Sequence, residues 1–81
     1  MTETEEFMTI YDSLSPASRL FIFAAVANMV GDTEERTYPK AVIKKAVRKC
    51  RAILGNPKAN ADDREHAERA IAYIREHVKP E

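Results

Sequence analysis

Ser15-Pro16-Ala17-Ser18-Arg19-Leu20-Phe21-Ile22-Phe23-Ala24-Ala25-Val26-Ala27-Asn28-Met29-Val30-Gly31 is the stretch that decides the fold class. A serine followed by proline is a helix start: the hydroxyl accepts from an orphan backbone N–H, and proline at the first helical position gives up an N–H that had no partner anyway. Gly31 is a natural left-handed stop. Between them a helix over 16–30 is apolar nearly all round, so it must be covered on several sides. It is expected to be the centre of a bundle, the seam of an oligomer, or both. Asn28 interrupts it. A buried amide costs stability unless paired and fixes register in some helical assemblies, whereas an amide near Gly31 lies at an exposed end; both readings stand.

Working outward, Phe7, Ile10, Tyr11 and Leu14 hold the i, i+3, i+4, i+7 spacing of one helical face, which predicts a helix over 3–13 docked on the apolar one. Pro39 after Thr37-Tyr38 repeats the start signal for a helix over 39–54, where Ile43, Ala46, Val47, Cys50, Ile53 and Leu54 form a core-facing stripe about 120° wide. Gly55-Asn56-Pro57 stops it. Asn60 caps a helix over 61–78, with Asp62, Asp63 and Glu65 where the helix dipole favours acids and with Ala67, Ala70, Ile71, Ile74 and Val78 as its stripe. No alternation of period two over four or more residues occurs. The expectation is an all-α, small four-helix bundle-like domain spanning 1–81, with the last two helices as a C-terminal antiparallel helical hairpin.

Bulk numbers narrow the class. At 81 residues there is room for one small domain. A chain this short buries only about 60% of its unfolded surface, which leaves a monomer marginal. Self-association is therefore expected, through Leu20, Phe21, Phe23, Ala24, Ala27 and Asn28 of the apolar helix. One cysteine, Cys50, excludes an internal disulfide and fits a reducing compartment. No apolar run approaches the ~20 residues that span a bilayer, and the acidic start lacks the basic residues of a signal peptide. A cytoplasmic chain without membrane contact is expected.

Charge is distributed in blocks. The net formal charge is zero, with thirteen acids and thirteen Lys and Arg. Residues 1–35 hold seven acids against Arg19, whereas 36–58 hold eight cations and no acid. Lys40, Lys44, Lys45, Arg48, Lys49 and Arg51 fill the arc opposite the apolar stripe of the helix over 39–54. Solvated helices usually interleave both signs, because like charges four apart repel. This strip is simply soluble surface or a partner for the acidic N-terminal segment, a docking face for an acidic protein surface, or a contact for nucleic acid phosphates.

Chemistry is sparse. His66, Tyr73 and His77 share one flank of the last helix as boundary residues, and the two histidines are ~16 Å apart along it, too far to share a metal. Cys50 lies in the core stripe. No phosphate loop, dinucleotide fingerprint or calcium loop is present. No catalytic, cofactor-binding or metal residues are assigned, and no enzyme activity is expected. The expected function is that of a small non-enzymatic protein-protein interaction, inhibitor or adaptor protein, with a helical DNA-binding transcriptional regulator using the same basic helix as the alternative.

Ile43-Lys44-Lys45-Ala46-Val47-Arg48-Lys49 resembles the second helix of J-domain cochaperones, and the following helix with Ile71 and Ile74 looks like their third. The His-Pro-Asp tripeptide of that family is replaced by Gly55-Asn56-Pro57. The resemblance covers about forty residues and implies a two-helix hairpin without chaperone stimulation.

Overall fold

A computed structural model describes residues 13–81. Its elements are α1 (Pro16–Met29), β1 (Arg36–Tyr38), α2 (Lys40–Leu54), α3 (Ala61–His77) and β2 (Val78–Pro80). Of the expected helix over 3–13 and its Phe7, Ile10, Tyr11 and Leu14 stripe, all but Ser13 and Leu14 lie outside the described residues.

Helix ends follow local chemistry. At α1 the Ser15 side chain accepts from the Ser18 N–H at 3.2 Å, with Pro16 opening the helix. At its other end Gly31 takes φ 77°, the Asp32 N–H donates to the Ala27 carbonyl at 2.9 Å and the Gly31 N–H donates to that of Asn28 at 3.2 Å. These are the two bonds of a Schellman stop. Helix α3 starts at Asn60, whose side chain accepts from the Asp63 N–H at 2.7 Å. Helix α2 departs from expectation: its cap is Pro39, without a side-chain bond, because Thr37 and Tyr38 are drawn into β1.

The four-helix bundle-like arrangement with a C-terminal antiparallel hairpin is not what the chain forms. Among the described residues there are three helices and a parallel two-stranded sheet, with Arg36, Thr37 and Tyr38 opposite Val78, Lys79 and Pro80. Parallel strands need a long crossover. Helices α2 and α3 together are that crossover, and α3 packs more extensively on α1 than on α2. The hairpin implied by the J-domain resemblance is corrected on the same ground. Three-residue strands cannot show a period-two pattern, and Pro80 is tolerated because it lies at the end of an edge strand.

The core is built largely from small side chains. Ala24, Ala46, Ala67 and Ala70 are fully buried, with Leu20, Cys50, Tyr73 and Ile74 between them. Alanine at the crossings lets three short helices approach closely, which is how a chain of this size buries apolar surface. The loop after α1 is pinned to α3, since the Tyr73 hydroxyl donates to the Glu34 carbonyl at 3.1 Å. Arg36 closes the same corner: its guanidinium meets Asp32 at 3.4 Å and Glu34 at 3.1 Å and lies 4.8 Å from the Phe23 ring centroid. Among the described residues no helix is long and apolar enough to cross a membrane.

Candidate functional site

Helix α2 turns Ala46 and Cys50 into the core and leaves Val42, Ile43, Val47, Ile53 and Leu54 half-buried along its margins. At 100° per residue the cations fall into two files. Lys40, Lys44, Arg48 and Arg51 stand within about 80° of arc beside the Ile43, Val47 and Leu54 margin. Lys45 and Lys49 stand on the opposite flank, where the Lys49 ammonium lies 6.0 Å from the Phe21 ring centroid. All six cations are exposed, and among the described residues none of them forms an ion pair.

The wider file borders a shallow groove. Lys44, Arg48 and Arg51 stand along one side of half-buried Ile43 and Val47 on the same helix, so a cationic row borders an apolar margin. Such a surface offers charge-assisted hydrogen bonds along the row and apolar contact beside it. Sequence reasoning placed Ile43 and Val47 in the core-facing stripe, whereas the structure leaves both half-buried at its margin. A signal was available: Val47 lies at the edge of the stripe, one turn from the cations that flank it.

The six residues expected to form an oligomer interface are used mostly inside one chain. Leu20, Phe21, Ala24 and Ala27 are buried, and Phe23 and Asn28 are half-buried. Asn28 sits at the helix end and takes part in its stop through its backbone carbonyl. The apolar residues of α1 that do face outward are Val26, Met29 and Val30, exposed by 45%, 61% and 69%. Sequence reasoning missed them because a helix apolar on every side carries no mark of which side is covered.

The titratable flank of α3 separates into different environments. His66 packs on Phe21 with ring centroids 4.9 Å apart, whereas Tyr73 meets His77 at 5.1 Å and Phe23 at 6.0 Å. Tyr73 is 1% exposed, a core residue with a satisfied hydroxyl rather than the boundary residue expected. Asp32 lies nearby, and the Glu34 N–H that it accepts at 2.8 Å holds its carboxyl below the ordinary value, against some desolvation, with Arg36 adding to the effect. Cys50 is fully buried, and burial pushes its thiol up, so it is poorly suited to nucleophilic chemistry. Among the described residues no group of three His, Cys, Asp or Glu could hold a metal ion. Compared with protein families, curated proteins and solved structures, the chain matches none of them.

Proposed function

We propose that this chain is a non-enzymatic binding protein, an inhibitor or adaptor, that docks the basic face of α2 on an acidic protein surface. The observation that carries this reading is the shallow surface on α2 where exposed Lys44, Arg48 and Arg51 stand beside half-buried Ile43 and Val47. Phosphate backbones satisfy cations but offer nothing to an apolar margin. An acidic segment with spaced apolar side chains satisfies both, as amphipathic helices do in grooves of this kind.

Stability supports the same reading. Lys40 and Lys44, Lys44 and Arg48, and Lys45 and Lys49 are like-charged pairs four residues apart, each costing ~0.2–0.5 kcal/mol. No acid on α2 offsets that repulsion. Such a cost is consistent with a surface kept for an anionic partner, and neutralisation on docking would remove it.

The test is fluorescence anisotropy with a synthetic helical peptide carrying Glu and Leu at i, i+4 spacing, its Leu-to-Ser counterpart, and random-sequence duplex DNA at two salt concentrations. The Glu–Leu peptide should bind more tightly than its Ser counterpart. The charge-reversed variant Lys44→Glu/Lys45→Glu/Arg48→Glu/Lys49→Glu should lose that binding while retaining helicity. Tight DNA binding with a steep salt slope would instead support the DNA-binding regulator. Equal peptide binding by wild type and the charge-reversed variant would overturn the reading.

A further inference from the structure

We infer that a second copy of this chain covers the outer face of α1, forming a two-fold dimer centred on Val26 and Met29. At 100° per residue, the buried Leu20, Phe21, Ala24, Ala25 and Ala27 occupy one side of α1. The remaining arc holds half-buried Ile22 and, toward the C-terminal end, exposed Val26, Met29 and Val30; its one charged side chain, half-buried Arg19, stands at the N-terminal end of the helix. A contiguous exposed apolar face of this kind marks an interaction surface. Among the described residues the other helices cover only part of this mostly apolar helix.

The rim identifies the occupant. Beside this face, Ala25, Val26 and Met29 floor a groove whose other wall is the N-terminal half of α3: Asp62, Glu65, His66 and Arg69. Along that wall the sign changes from acidic at Asp62 and Glu65 to basic at Arg69, with Arg69 paired to Glu65 of its own helix at 2.7 Å, so that a second copy would have to share or exchange that pair. A two-fold interface requires each patch to complement itself. A wall that runs from negative to positive does so when two copies meet antiparallel, with Arg69 of one facing Asp62 and Glu65 of the other. The α2 strip, of a single sign, would repel its own copy and cannot serve this purpose. Dimerisation through α1 and α3 leaves both α2 faces outward, and it stands independently of what α2 binds.

The test is sedimentation of the full chain from micromolar to hundreds of micromolar. Wild type should move to twice the 9.2 kDa chain mass with rising concentration. Val26→Glu/Met29→Glu, at positions already exposed, should stay at the single-chain mass with an unchanged circular dichroism spectrum. Arg69→Glu alone and Asp62→Lys/Glu65→Lys alone should each be monomeric, because their walls become single-signed. An equimolar mixture of those two variants should restore the dimer. Wild type at the single-chain mass throughout the range, a dimer that persists in Val26→Glu/Met29→Glu, or a mixture that fails to recover would each overturn the inference. Should Val26→Glu/Met29→Glu fail to fold, the charge-swap mixture decides on its own.

Discussion

The Tyr73 hydroxyl donates to the Glu34 backbone carbonyl at 3.1 Å, joining residues 39 positions apart in sequence. Through this bond the last helix holds the loop that leads into β1. With the same ring in contact with Phe23 and His77, Tyr73 ties α1, the loop and α3 together.

Tyr73→Phe removes that bond and keeps the ring. A single neutral hydrogen bond contributes about 1 kcal/mol net, so the melting temperature should fall by roughly 4–8 °C for a domain of this size. Tyr73→Ala, which also empties the core, should cost about 3–5 kcal/mol. Thermal melts of both variants check the order; an unchanged Tyr73→Phe melt would mean the loop is held by the Arg36 pairs alone.

Acid should weaken the same corner. The carboxyl of Asp32 is held below its ordinary value of 3.8, first by the Glu34 N–H and then by Arg36. A depressed folded value means stabilisation that is fully present above 3.8 and is lost as pH falls through the lower folded value. Asp32→Asn keeps an oxygen for the Glu34 N–H but no longer ionises. The stability difference between wild type and this variant, measured by urea unfolding, should therefore shrink below that pH. A difference constant with pH would show that the carboxylate charge contributes nothing.

Gly31 supplies the stop of α1. A Cβ there meets no atom within 4 Å, so Gly31→Ala is opposed only by the positive φ of 77°. That conformation costs an L-residue roughly 1–2 kcal/mol. Gly31→Asn should cost less, since asparagine tolerates this region. Equal melting temperatures for glycine and alanine would indicate that the stop relaxes.

Helices and strands differed in how far the sequence disclosed them. Ser15-Pro16, Gly31 and Asn60 act through bonds within four or five residues, so their effect is readable locally. The β1–β2 pair joins residues more than forty apart through backbone groups, and Arg36-Thr37-Tyr38 carries no side-chain pattern that distinguishes it from a loop. The basic file on α2 was visible because charge cannot hide inside the core. Its apolar groove partners, and the outward face of α1, depended on which flanks the neighbouring helices leave open, a property of packing rather than of any one segment.

Cys50 reports on opening of the core. It is fully buried between the helices and its thiol is pushed up by desolvation. Reaction with an aromatic disulfide should be slow in the native chain and accelerate with urea in step with unfolding, since only an opened state presents a thiolate. Rapid labelling of native protein would show that the α2 contact opens locally without global unfolding.

Lys44 separates the stability of α2 from its proposed use. It stands four residues from both Lys40 and Arg48, so Lys44→Glu replaces two repulsive pairs with two attractive ones. At ~0.2–0.5 kcal/mol per pair and sign, the variant should gain about 1 kcal/mol and melt a few degrees higher. Added salt screens exposed charges, so it should raise the wild-type melting temperature more than that of the variant. The same substitution removes a cation from the row beside Ile43 and Val47 and should weaken binding of the acidic peptide. A surface kept for binding at the expense of the fold gives opposite signs for the two measurements. A variant that is less stable than wild type would mean that Lys44 pairs with an acid elsewhere in the chain, and the strip would then be part of the fold rather than a docking face.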